Sequence, residues 1–217
     1  MTPDATTITR WWWVRHAPVV TDDPQRIWGQ TDLPCDTSDK AALKTLASRL
    51  PADAVWVCSH LKRTHETAGA LADIGGIGRE HSDPLVEPDL AEQNLGIWQG
   101  MTWEEVYYKY GAENRDFWQD PGRHCPPGGE SFAQVMARTE AVVGRLTALY
   151  AGRDIVAISH GGTIRAALGV VLGVEPRSAL SIEVDTLSLT RLDHIDGPPH
   201  HQLRGVWRIG GVNLPAD

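Results

Sequence analysis

Along this chain, short apolar runs bounded by polar residues alternate with segments whose apolar residues recur every three or four positions, and that alternation constrains the fold more than any other feature. Ile8–Val14 and Ala54–Cys58 have the length and composition of buried strands. Between them Leu43, Leu46 and Leu50 repeat at helical spacing, and Leu61–Ile74 predicts a helix that stops at Gly75-Gly76. Thr102-Trp-Glu-Glu105 and Ser131-Phe-Ala-Gln134 have the form of capping boxes. The second opens a long amphipathic helix with Phe132, Val135, Met136, Val143, Leu146 and Tyr150 on one face. Asp154–Ile158 predicts a further buried strand, with a helix after it carried by Ile164, Ala167, Leu168, Val171 and Leu172. Strands are expected near Leu180–Val184, Leu187–Leu192 and Leu203–Arg208. Such an order predicts an α/β fold, a three-layer α/β/α sandwich with a mostly parallel central sheet. With no repeat and no linker in the 217 residues, one domain spanning 1–217 is expected. Strand alternation sends Trp12 to one face and Trp11 and Trp13 to the other, as core residues beneath two helical layers.

Charge and composition narrow the class. A net charge of −8 argues against an extended nucleic-acid surface, although an acidic chain can still hold an anion in a local basic pocket. No apolar run approaches the roughly 20 residues of a membrane helix, and the first residues lack the pattern of a signal peptide, so a cytoplasmic protein is expected. Cys35, Cys58 and Cys125 are widely spaced and predict free thiols rather than disulfides or a zinc knuckle.

In a sheet of this kind the ligand site lies beyond the carboxyl ends of the strands. Arg15-His16-Ala17 follows the first strand, Ser59-His60-Leu61-Lys62-Arg63-Thr64 the second, and Ser159-His160-Gly161-Gly162 the strand Asp154–Ile158. Histidines and arginines from three strand ends therefore converge on one edge. Two arginines match phosphate oxygens with forked donors and stay charged. Gly161-Gly162 at a helix start lets backbone N–H groups approach an anion. A neutral His16 imidazole can attack phosphorus, while His160 offsets charge on the equatorial oxygens. The departing alkoxide needs an acid, and Glu92, in a loop-like segment running to Gly100, is the candidate over Glu87 and Asp89. The positive charge comes from side chains, so no metal and no other cofactor is expected.

These motifs, in this order, resemble the histidine phosphatase superfamily, the group that contains cofactor-dependent phosphoglycerate mutase. Arg15-His16 is similar to its Arg-His-Gly signature, and Ser59-x-Leu61-x-Arg63-Thr64-x-Glu66-Thr67-Ala68 to its second-arginine motif. Glu92-x-x-x-Gly96-x-Trp98-x-Gly100 resembles the acid loop and Ser159-His160-Gly161-Gly162 the second-histidine motif, and Gly129-Glu130-Ser131 before a helix also fits. The resemblance runs from about Ile8 to Ile209. It implies a phosphoglycerate-mutase-like fold, His16 as phosphoryl acceptor, Glu92 as proton donor, and Arg15, Arg63 and His160 as phosphate holders, with Gly161, Trp28 and Gly29 at the substrate. One departure is Ala17-Pro18, where the family has glycine and then a polar residue. Alanine must avoid the left-handed region, and the following proline favours an extended conformation.

Within that family the residues after Glu92 (Gln93, Asn94, Leu95) and the short segment to Gly129 offer few cations for a second phosphate. The expectation is therefore a phosphatase of the short branch, such as the α-ribazole phosphatases, acting on a small phosphorylated metabolite through phosphohistidine. A phosphoglycerate-type mutase and a phosphoester-binding module without catalysis are the alternatives. The strand-rich C-terminal third leaves a homodimer open. His124 is placed near the pocket mouth or in an exposed loop, and His194, His200 and His201 in a hairpin turn rather than a metal site.

Overall fold

A computed structural model describes residues 6–75, 83–197 and 204–216. Gly76, Leu203, His200 and His201, which entered the reading above, lie outside these residues.

Six strands form one sheet in the order β3-β2-β4-β1-β5-β6. They are β1 (Thr7–Arg15), β2 (Val55–Cys58), β3 (Leu85–Val86), β4 (Asp154–Ser159), β5 (Leu189–Asp196) and β6 (Arg204–Leu214). The β1–β4, β4–β2 and β2–β3 pairs are parallel, and β5 runs antiparallel to both β1 and β6. Among the described strands only β5 therefore opposes the common direction. The helices are α1 (Lys40–Arg49), α2 (Lys62–Gly75), α3 (Trp103–Lys109), α4 (Gly111–Gln119), α5 (Phe132–Leu149), α6 (Gly161–Leu172) and α7 (Pro176–Ala179).

The period-two alternation of the strands divides the core. On one face Val14, Trp56, Cys58, Val156 and Ile158 pack against Leu43 and Leu46 of α1 and Ala68 and Leu71 of α2. On the other Trp11, Trp13, Val57, Ile155 and Ala157 pack against Val142, Val143 and Leu146 of α5 and Ile164, Ala167 and Leu168 of α6. This is the expected three-layer arrangement. Trp11 and Trp13 are fully buried and stacked, with ring centroids 5.0 Å apart, and Trp12 points the other way with its Nε1 donating to Asp154. Both capping boxes form, at Thr102 with Glu105 and at Ser131 with Gln134.

One expected strand is absent. Leu180–Val184 is an irregular strap, because its carbonyls serve arginines rather than a ladder. Arg165 Nε donates to the Ile182 oxygen and Arg15 Nη1 to the Val184 oxygen, both at 2.6 Å. Leu187 then adopts φ +57°, outside the extended region, and the ladder begins only at Leu189. The helix predicted after β4 forms, with Leu172 exposed at its end. All three cysteines are free thiols. Among the described residues no helix is long and apolar enough to cross a membrane.

Candidate active site

Parallel pairing in register brings Arg15 opposite Ser159, so the next residue of each strand, His16 and His160, leaves the sheet at the same edge. The His16 N–H donates to the Ser159 oxygen at 3.0 Å, extending that register by one residue. The two imidazoles stand edge to face with centroids 5.1 Å apart. Between them lies Arg63, in the first turn of α2 and only 2% exposed. Its Nε–H is shared between His16 Nε2 and His160 Nδ1, each at 3.2 Å. The carbonyls of Thr31 (2.9 Å) and Gly29 (2.7 Å) accept from its two terminal nitrogens and hold the plane of the guanidinium.

These contacts assign the protons. His16 Nδ1 lies 2.6 Å from the Ala17 carbonyl oxygen, which can only accept, so Nδ1 carries the hydrogen and Nε2 is bare. His160 Nδ1 faces the Arg63 donor, so its hydrogen sits on Nε2 and goes to Ser59 Oγ at 2.8 Å. Burial drives the His16 pKa down to about 3, with the Arg63 and then the Arg15 charge adding to the effect and the Ala17 bond opposing it. Burial likewise places His160 well below the ordinary histidine range, reinforced by His16 and Arg63. Both rings are therefore neutral at neutral pH. Ala17 is not in the left-handed region; its N–H donates to Thr67 Oγ1 at 2.9 Å, which keeps the turn after His16 tied to α2.

Arg15 extends from the end of β1 beside Gly161, its Cζ and Nε 3.5 Å from where a Cβ on that glycine would stand. One terminal nitrogen is held by Val184, while Nε is buried without a partner among the described residues. A buried unsatisfied donor on a cation is an invitation to an anion. Burial lowers the pKa of both Arg15 and Arg63, and in both cases Glu92 is the leading opposing charge. Glu92 is thus the acid that bears most strongly on both arginines.

Glu92 has its side chain held by two backbone amides. Its Oε1 accepts from the backbone N–H of Gly162 (3.1 Å) and of Gln93 (2.9 Å), and its Oε2 lies 3.2 Å from the same Gly162 nitrogen. A Cβ at Gly162 would lie 2.2 Å from Oε1, so only glycine permits this approach. The sequence reading offered the α6 N-terminus to the substrate anion; the structure gives one of its two amides to the acid. Of the rivals, Glu87 pairs with Arg145 at 2.7 Å, and Asp89 is exposed.

Of the remaining candidates, Gly29 supplies its carbonyl to Arg63, and the Trp28 indole N–H is buried without a partner among the described residues. His60 is exposed. His124 is exposed with Nδ1 on the Asp116 carbonyl, and Arg123 pairs with Glu175 and Asp120. His194 pairs with Thr9 on β1 and packs edge-on against Trp207 at 5.0 Å, near the opposite edge of the sheet. Among the described residues no group of three or more His, Cys, Asp or Glu is placed to hold a metal. Sequence reasoning assigned no role to Ser59, Thr67, Arg138 or Arg165. Arg165 stands four residues after Gly161, and that spacing alone places it one turn further along the same helix face, with a terminal nitrogen 3.6 Å from the Gly161 Cβ position.

The chain is similar to known phosphatases and mutases over most of its length. A glucosyl-3-phosphoglycerate phosphatase of Mycolicibacterium vanbaalenii is 34% identical over 74% of this chain and 73% of its own length. A 2,3-bisphosphoglycerate-dependent phosphoglycerate mutase of Gloeobacter violaceus is 26% identical over 83% of this chain and 84% of its own. The solved structure of mycobacterial glucosyl-3-phosphoglycerate phosphatase superposes with a TM-score of 0.77 at 26% identity, covering 95% of this chain and 99% of that one. The family model for the histidine phosphatase superfamily (branch 1) matches residues 11–205, and the chain belongs to that superfamily.

Proposed function

We propose that the protein is a phosphomonoesterase working through a phosphohistidine on His16. The observation that carries this reading is the bare Nε2 of His16 beside the shared Arg63 donor, with its other nitrogen committed to Ala17. A phosphate drawn into the cup meets Arg63 and the open Nε of Arg15 around its equatorial oxygens, and its charge favours a proton on His160 Nδ1, which then donates to it as well. His16 Nε2 forms the N–P bond as the ester P–O bond breaks, and Glu92 gives its proton to the departing alkoxide. Glu92 then takes a proton from water, whose oxygen displaces His16 and releases inorganic phosphate. The arginines supply the positive charge that a divalent cation supplies in other phosphatases, so we infer that no metal or other cofactor is needed.

The substrate class proposed is a small phosphorylated metabolite in the cytoplasm. The mutase alternative has a relative in its favour, but the side chains after Glu92 are turned inward. Gln93 donates to the Glu130 carbonyl and Asn94 accepts from the Gly96 N–H, each at 2.9 Å, and neither adds a cation for a second phosphate. The test is rapid mixing with a radiolabelled monoester followed by base quench. Acid-labile, base-stable label on the protein, lost in His16→Ala, together with turnover unaffected by a chelator, is the expected result. No label and no turnover across a panel of esters would favour a binding module, and chelator inhibition reversed by added metal would remove the metal-free mechanism.

A further inference from the structure

Glu92 lies in a stretch, residues 91–95, that has neither helix nor strand to fix it. General acid catalysis nevertheless needs its carboxyl placed to within a fraction of an ångström. Gln30 donates to the Glu92 carbonyl at 2.9 Å and Thr163 to the Ala91 carbonyl at 2.8 Å, and beside them the stretch is held by an ion pair outside the phosphate cup. Arg138, on the second turn of α5, grips Glu130 with two bonds, Nε to Oε2 at 3.0 Å and Nη2 to Oε1 at 2.9 Å. The pair is well shielded, with side-chain exposures of 16% and 18%. The same guanidinium donates to the backbone carbonyls of Asp89 and Glu92, the latter at 3.2 Å. Glu130 completes the grip: its Oε1 accepts from the Asn94 N–H, its N–H donates to the Asn94 oxygen and its carbonyl accepts from the Gln93 side chain, all at 2.9 Å. The two backbones touch so closely that a Cβ on Gly129 would lie 2.4 Å from the Asn94 oxygen.

We propose that Glu130 and Arg138 are positioning residues for the general acid: a side-chain clamp, anchored on α5, that does for the Glu92 loop what the β-ladder does for His16. A lysine cannot reproduce it, because one ammonium cannot make the bidentate contact and reach two carbonyls in a plane. Neither residue touches the reacting atoms. The inference rests on Glu92 being the acid.

The experiment compares kcat/KM for two substrates, p-nitrophenyl phosphate, whose leaving group departs without a proton, and glycerol phosphate, whose alkoxide needs one. Because kcat/KM reports only steps up to phosphohistidine formation, the later role of Glu92 as base does not enter. Glu92→Gln provides the reference and should lose far more on the alkyl ester than on the aryl ester. Arg138→Met and Arg138→Lys should copy that pattern, losing about 10–100-fold on glycerol phosphate and no more than about 3-fold on p-nitrophenyl phosphate. Glu130→Gln, which keeps the shape, should show the same selectivity with a smaller loss. Equal losses on both esters would mean a merely structural role, and full rescue by Arg138→Lys would mean that charge alone matters; either overturns the clamp. If Glu92→Gln itself shows no leaving-group dependence, the acid assignment fails instead, so the two failures are separable.

Discussion

The two halves of the candidate site are built differently. The nucleophile half hangs on the sheet: His16 and His160 follow adjacent parallel strands in register, and Arg63 stands between them in the first turn of a helix. The acid half has no such scaffold; Glu92 lies on irregular chain held by two backbone amides and by side-chain bonds, among them those from Gln30, Glu130 and Arg138. A ladder fixes every residue along it, whereas a clamp fixes only what it grips. The nucleophile half should therefore fail outright when its own atoms are removed, and the acid half should degrade in proportion to how far the carboxyl drifts.

The largest expected effect is on the ladder side. His16→Ala removes the atom that forms the N–P bond, and turnover of p-nitrophenyl phosphate should fall by at least about 10⁴-fold with the melting temperature little changed. Residual turnover above a few per cent would mean that another group accepts the phosphoryl. Arg63→Lys comes next. One ammonium cannot serve two imidazoles and two carbonyls at once, so kcat/KM should fall about 10²–10³-fold on aryl and alkyl esters alike. A loss confined to alkyl esters would place Arg63 with the acid half and break the division drawn here.

The same division governs what was legible in the sequence. Strand alternation put Trp11 and Trp13 on one face and Trp12 on the other, and the boxes at Thr102 and Ser131 marked the starts of two helices correctly. Those signals are local, and the convergence of His16, Arg63 and His160 follows from them through the rule about strand ends. The strap from Leu180 to Val184 was misread because its apolar residues have strand composition while its carbonyls belong to Arg165 and Arg15, partners set by tertiary structure. The grip of Arg138 on the loop was invisible for the same reason. Glu130 was noticed only as part of a motif, and nothing local says that its carboxylate meets an arginine on the next helix.

Gly162→Ala sharpens the comparison from the acid side. The added methyl would stand 2.2 Å from Glu92 Oε1, so the carboxylate must move while His16 and Arg63 keep their places. The expected loss is about 10–100-fold in kcat/KM for glycerol phosphate and several-fold less for p-nitrophenyl phosphate. An aryl loss as large as the alkyl one would show that Gly162 serves the phosphate rather than the acid.

The effect that is smallest per imidazole and pH unit is thermodynamic and belongs to the ladder side alone. Both imidazoles are buried neutral, His16 with a pKa near 3 and His160 also far below the ordinary value of 6.5. In the unfolded chain each takes a proton as pH falls through about 6.5, whereas in the folded chain His16 does so only near 3. Between those limits the unfolded state binds more protons, so folding stability rises with pH and is lost on acidification. The slope is about 1.4 kcal/mol per pH unit for each imidazole, roughly a tenfold change in the folding equilibrium. Urea unfolding between pH 7.5 and about 4.5 should show this loss, and His16→Asn should remove close to half of the slope, since asparagine has no proton to gain. Bound inorganic phosphate should flatten the curve further, because a dianion against His160 restores the charged form and the folded state then gains protons as well. A flat profile through this window in the wild type would mean that the rings are charged in the native state. Nε2 of His16 would then not be free to attack, and the nucleophile half would lose its chemistry while keeping its geometry.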